Sequence, residues 1–132
     1  MHPSKIDPRW PNALRWFLVQ GLEHFTPWHF ISESDQFAFA ARAFEREDVS
    51  RGSVFVFAHR QDCDDFAGLE VIDGKFTDRV ICFHPVFGSG TVESPRNWNI
   101  VSETFDDVFE FVSGRVIPDM KDWSSSEDAA DL

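Results

Sequence analysis

Leu14, Phe17, Leu18, Leu22 and Phe25 recur at three- and four-residue steps, the spacing of one apolar stripe on a helix. Pro11 suits the first helical position, Gly21 weakens the helix near its end, and Pro27 lies past it. Trp28-His29-Phe30-Ile31 reads as a short buried connection. Ser32 or Ser34 can cap a second helix, with Phe37, Ala40, Ala41 and Phe44 on its apolar face. Its end, Glu45-Arg46-Glu47-Asp48, reads as a solvated charge cluster. From Gly52 the period changes. Val54 to Phe57 forms an apolar run suited to a central strand, and Phe66 to Ile72 reads as the next. Asp73-Gly74 is a hairpin signal, because glycine tolerates positive φ, so Phe76 to Phe83 should return antiparallel. Phe87 to Thr91 reads as a flexible loop and Trp98 to Val101 as a short fourth strand. Thr104-Phe105-Asp106-Asp107 has the form of a capping box with Asp in place of Glu. Phe105, Val108, Phe109 and Val112 then mark a last helix, which Gly114 ends or bends before Pro118.

The order of two helices, a strand meander and a helix predicts an α+β fold, with the helices gathered against one antiparallel sheet. A chain of 132 residues is most simply one domain. Residues 1–10 are expected to be a loose N-terminal arm, 11–123 the domain, and 124–132 an acidic disordered tail. The 15 Phe and 5 Trp, with no Tyr, point to an aromatic core.

A net charge of −11 argues against nucleic acid and against an anionic membrane surface, both of which repel such a chain. It favours a basic protein surface as partner. Cys63 and Cys82 define no disulfide framework, and no apolar run is long enough to span a membrane. The first residues lack the order of a secretory signal, so a cytoplasmic location is the expectation.

The candidate chemistry sits in one polar loop between strands, where Arg60, Asp62, Asp64 and Asp65 stand close together. The three aspartates could take a divalent metal, but the glycine and distal glutamate of a calcium loop are absent at the required offsets. An acid/base pair would need burial to separate two pKa values. The structural alternative is that aspartates cap tight turns and Arg60 pairs with a neighbouring carboxylate. His59 and His84, at the ends of neighbouring strands, could approach each other and Asp62. Cys63 lacks an activating arrangement, since nearby carboxylates raise a thiol pKa. The residues therefore give no catalytic group, metal or cofactor. Trp28 and Trp98 are candidate aromatic anchors for a partner, against the plainer role of core or rim packing.

The run from Phe57 to Glu70 resembles a pattern of the SUKH superfamily, whose members often carry phe-ala-x-arg-gln-asp-x-asp-asp before a strand. Phe57, Ala58, Arg60, Gln61, Asp62, Asp64 and Asp65 match it. The Leu22-to-Ile31 segment with Pro27-Trp28 looks like the family's early linker, and Thr104-Phe105 like the opening of its C-terminal element, so the resemblance spans residues 14 to 120. Cys63 stands where many relatives carry Asn, and Phe66-Ala67-Gly68-Leu69 replaces a more usual Val-Ala-Cys-Phe type of strand. The resemblance implies a curved, mostly antiparallel central sheet with helices packed around it. It also implies a non-enzymatic binding protein. Bacterial members are immunity proteins that neutralise secreted toxins, often nucleases, and fungal members are regulatory scaffolds. On that reading Arg60, Asp62, Asp64 and Asp65 would face a basic toxin domain and occlude its active site. A metal-binding or hydrolytic carboxylate/histidine domain and a regulatory scaffold remain the alternatives, and the oligomeric state is open.

Overall fold

A computed structural model of the chain describes residues 6–31, 35–86 and 99–132. Among the described residues, six strands form one antiparallel sheet in simple sequence order: β1 (His24–Phe25), β2 (Trp28–Phe30), β3 (Ser53–Arg60), β4 (Phe66–Ile72), β5 (Lys75–Phe83) and β6 (Val101–Phe105). Helix α1 (Asn12–Val19) and a C-terminal helical rod cover one face, and α2 (Gln36–Glu47) covers the other. The rod consists of α3 (Val108–Phe111), a π-helical stretch (Val112–Val116) and α4 (Ile117–Ser124). This is an α+β architecture.

The two cores follow from alternation along the strands. Phe30, Phe57, Leu69, Val80 and Cys82 point towards α1 and the rod, where Leu14, Leu18 and Phe111 meet them. Val54, Val56, Phe66, Ile81 and Phe83 point towards Phe37, Ala40 and Phe44 of α2. The hairpin between β4 and β5 turns at Asp73 (φ 52°) and Gly74 (φ 75°), the two positive values a tight two-residue turn requires.

One irregularity decides where the polar loop points. The β3–β4 register shifts between Val56 and Ala58, so Phe57 is an extra residue in its strand. Phe57 and Ala58 consequently belong to the same core. Beyond the bulge the alternation is inverted. His59 packs against Phe37 and Phe66 on the α2 side, whereas Arg60 reaches Asp119 of α4 on the opposite side.

Several sequence expectations are corrected. Helix α1 stops at Val19 because Gly21 adopts φ 72°, so exposed Leu22 lies beyond it and Phe25 sits in β1; Pro11 precedes the helix. Trp28-His29-Phe30 is a strand, paired with β1 around a cis Thr26-Pro27 bond. Asp35 occupies the N-cap position of α2, while Ser32 and Ser34 lie outside the described residues. Ala43 joins the buried face of α2, and Ala41 is only half-buried. The charged end of α2 is not solvated at Glu47 and Asp48, which are 1% and 2% exposed. Both carboxylates accept backbone N–H groups: Glu47 from Val86 at 2.9 Å, Asp48 from Ile100 at 3.2 Å.

The Phe87–Thr91 loop and Trp98 lie outside the described residues, and the strand expected at 98–101 instead spans Val101–Phe105. The last helix is therefore capped by Asp107, whose carboxylate accepts the Glu110 N–H at 2.9 Å, not by Thr104. Gly114 does not end it. A side chain there would approach the Phe105 ring to 2.9 Å, so glycine permits close packing of the rod on β6. Pro118 is accommodated where the helix is locally widened: the Ile117 N–H reaches back five residues to Val112 across the π-helical stretch, and the helix runs on without a break into α4. Phe109, one of the residues whose spacing marks this helix, is 45% exposed, and Phe111 is fully buried. Ile6 and Trp10 pack on the core, and residues 129–131 form a 3-10 turn beyond α4.

Candidate functional site

The polar loop joins β3 to β4, and its backbone is tied at both sides. The Arg60 N–H donates to Asp65 O at 3.0 Å, and the Gln61 N–H donates to Pro27 O at 2.9 Å in the neighbouring hairpin. Asp62, Cys63 and Asp64 form the exposed tip, with Asp65 half-buried behind them. The bulge in β3 and the π-helical stretch in the rod bring two guanidiniums to the base of this loop.

Arg60 donates through Nε to Asp62 Oδ1 at 2.8 Å and lies 3.2 Å from Asp119 Oδ2. Arg115 is the second centre. Its Nε meets Asp119 Oδ2 at 2.9 Å, one terminal nitrogen meets Glu103 Oε1 at 3.0 Å, and the other meets Asp65 Oδ2 at 3.2 Å. The Trp28 indole N–H donates to the same Asp119 oxygen at 2.8 Å, and the Arg115 guanidinium carbon stands 5.6 Å from the Trp28 ring. His84 Nδ1 contacts Asp65 Oδ1 at 2.8 Å. Two guanidiniums thus face four carboxylates, Asp62, Asp65, Glu103 and Asp119. With His84 neutral the network holds two uncompensated negative charges, and exposed Asp64 adds a third beside it.

Burial opposes the charged form of both arginines. Hydrogen bonds and charges of Asp62 and Asp119 around Arg60, and of Asp119 and Glu103 around Arg115, outweigh it and raise both above the usual value. The Arg60 hydrogen bond in turn holds the Asp62 carboxyl below the usual aspartate value. Cys63 is moved the other way. Partial burial, with the Asp65 and Asp62 charges adding, pushes its thiol up to about 11, the opposite of an activated nucleophile. Buried Cys82 is pushed up to about 12, chiefly by desolvation.

Of the residues singled out from sequence, Arg60, Asp62 and Asp65 therefore meet in one network, and Asp64 stands at its exposed edge. Trp28 is fully buried, 0% exposed, so it has no free surface with which to anchor a partner. The helical rod covers it, with the Phe111 ring 5.3 Å away and Arg115 and Asp119 beside it. Trp98 lies outside the described residues. His59 and His84 do not form a pair, because β4 runs between their strands. His59 packs near His29, whose Nδ1 is 3.1 Å from His24 Nδ1. Sequence reasoning missed Glu103, Arg115 and Asp119. The i,i+4 spacing of Arg115 and Asp119 was a signal for them, once the helix is known to continue past Gly114.

Chemically, the arrangement is an anionic surface pinned by two cations, with an Asp65–His84 pair at one side. Among the described residues, no group of three or more His, Cys, Asp or Glu side chains is placed to hold a metal ion, and no helix is long and apolar enough to cross a membrane. Comparison of the chain with protein-family models, curated proteins and solved structures gives no match.

Proposed function

We propose that this chain is a non-enzymatic protein-binding domain of SUKH type that neutralises a cognate toxin by covering its active site. The observation that carries the reading is the charge balance at the β3–β4 loop. Four carboxylates converge on two guanidiniums, and Asp62 and Asp64 lie at the exposed tip. An anionic surface on a rigid frame suits a cationic cleft, such as the phosphate-binding site of a nuclease domain. It speeds association and disfavours partners of like charge. The net charge of −11 acts in the same direction at longer range.

The network also decides how to test this. Asp65 and Arg60 hold the loop in place, so their removal would confuse binding with folding. Asp64→Lys and Asp62→Asn alter the tip more cleanly. The experiment is capture of basic toxin-type domains encoded by neighbouring genes, with association rates measured across salt concentrations. A toxin domain captured by the wild type, associating at least tenfold more slowly with Asp64→Lys and more slowly with added salt, supports the reading. Capture unaffected by charge at the tip, or capture only of a host protein, overturns it, the latter in favour of a regulatory scaffold.

The Asp65–His84 contact favours a second reading, a carboxylate/histidine site that binds metal or assists hydrolysis. Titration with calcium, magnesium and zinc tests it. A rise in melting temperature at millimolar metal that is lost in His84→Ala would support it.

A further inference from the structure

Three histidines stand side by side across the first three strands. His24 of β1 is paired with His29 of β2, and His29 with His59 of β3. Directly opposed residues share a face of the sheet, so the three rings lie on the α2 side, where His59 meets Phe37. The frame that carries the first two is short and tied at both ends. Only Thr26 and Pro27 separate the paired residues Phe25 and Trp28. The Phe30 N–H donates to Glu23 O at 2.8 Å at the open end of this hairpin, and the Gln61 N–H donates to Pro27 O at 2.9 Å at its turn.

Two ring nitrogens of this row converge. His24 Nδ1 and His29 Nδ1 are 3.1 Å apart. The other nitrogen of His29, Nε2, lies against Gln61 Oε1. A side-chain amide oxygen only accepts, so Nε2 carries the ring proton, and neutral His29 turns the lone pair of Nδ1 towards His24. An acceptor behind the ring is the arrangement that fixes the tautomer of a metal-bound histidine. Two nitrogens held by one zinc ion at about 2.0–2.1 Å stand about 3.3 Å apart in a tetrahedron, and about 2.9 Å apart at a right angle. The observed separation lies between these values, so one ion fits both rings with little movement. His59 backs the pair: its ring centroid is 6.3 Å from that of His29, and Phe37 and Phe66 pack against it.

We propose that His24 and His29 bind one divalent ion of the zinc class through their two Nδ1 atoms, with Gln61 as the positioning residue and water in the remaining places. Imidazole nitrogen suits zinc, copper and nickel, whereas calcium and magnesium prefer oxygen. Two protein ligands make an open site, in keeping with the lack of a three-ligand group among the described residues. The protons balance. In the free chain the proton between the two Nδ1 atoms belongs to His24. On binding, both Nδ1 lone pairs go to the metal and that proton moves to Nε2 of His24, an exposed ring that can exchange it with water. The pair is separate from the Asp65–His84 contact, since β3 and β4 lie between β2 and β5.

The test is calorimetric titration of the full chain with zinc sulfate alone, joined to nitrogen-15 NMR of the imidazoles. The expected result is one zinc ion at this pair, with Nδ1 of His24 and of His29 taking the shift of a metal-bound nitrogen and both Nε2 atoms protonated. Affinity should fall at least tenfold in His24→Ala and in His29→Ala. His24 is exposed, so His24→Ala should melt at the wild-type temperature without zinc. Gln61→Leu should weaken binding about tenfold, and Gln61→Glu, which keeps an acceptor behind His29, should restore it. His84→Ala should leave it unchanged, and equal calcium or magnesium should not displace the zinc. No binding at millimolar zinc, binding indifferent to His24→Ala, or metal on the Nε2 atoms would overturn the proposal. So would loss of binding in His84→Ala alone, which would place the ion at the Asp65–His84 contact instead.

Discussion

Trp28 and Asp119, 91 positions apart, are joined by a 2.8 Å hydrogen bond from the indole N–H to Oδ2. That bond ties the sheet to the helical rod at the point where Arg60 and Arg115 also meet the carboxylate. Asp119 is the hub: its removal leaves a buried indole donor and two guanidiniums short of an acceptor. Asp119→Ala should destabilise the fold by about 2 kcal/mol, near the middle of the range for such losses because the carboxylate is partly exposed. Trp28→Phe keeps most of the packing and leaves Asp119 its two arginines, so it should cost less than a full truncation of the ring. Urea denaturation of both variants checks the order. Asp119→Ala within experimental error of wild type would show that the network is surface decoration.

His59 gives the fold a pH dependence with a definite sign. Burial, with the nearby His29 adding, holds its pKa below the usual value of 6.5. In the folded state the neutral ring is preferred, whereas the unfolded chain takes up a proton as pH falls through 6.5. The unfolded state then binds more protons, so stability is full above that pH and declines below it until the folded-state value is passed. His59→Phe, which keeps an aromatic ring beside Phe37 and Phe66, should flatten this decline relative to wild type. Melting temperatures of the two proteins between pH 7.5 and 5, on about an equal footing in buffer and salt, decide it. Parallel curves would remove His59 from the account.

Cys63 is exposed yet should react slowly. With its thiol pushed up to about 11, little thiolate is present at neutral pH, and the thiolate is the nucleophile. Alkylation by iodoacetamide should be slower than that of a free cysteine peptide and should keep rising through pH 9. Cys82, buried and pushed up to about 12, should be modified only after unfolding. Rapid labelling of Cys63 at pH 7 would contradict the local electrostatics described here.

The strands are the most legible part of the sequence, and β4 falls where the segment before the Asp73-Gly74 turn places it, at Phe66–Ile72. The bulge at Phe57 was not legible, because an extra residue inside a continuous apolar run leaves no trace in composition. It is this bulge that sends Arg60 to Asp119 and His59 to the other face. The rod is legible only in its first turns, for a related reason. Gly114 and Pro118 are ordinary stop signals, and only a tertiary neighbour, the Phe105 ring, gives the glycine its use. Arg60, Asp62 and Asp65 could be grouped from sequence since they are neighbours in the chain. Glu103, Arg115 and Asp119 enter the same network only through the sheet-to-rod packing.

The buried acids at the end of α2 show the same dependence on distant backbone and yield the last prediction. Asp48 Oδ1 accepts the Ile100 N–H at 3.2 Å, and Oδ2 accepts the Ser50 N–H at 2.9 Å together with the Ser50 hydroxyl. These donors come from 52 residues away and from the adjoining turn. Asp48→Ala strands the buried Ile100 N–H and removes the acceptor of the partly buried Ser50 N–H, and should cost about 2 kcal/mol. Glu47 differs. Oε1 accepts the Val86 N–H at 2.9 Å, while Oε2 is buried with no hydrogen-bond partner. Glu47→Gln keeps an acceptor for Val86 and should change stability by less than about 1 kcal/mol. Chemical denaturation separates the two, and a larger loss in Glu47→Gln than in Asp48→Ala would mean that Glu47 Oε2 has an essential acceptor role.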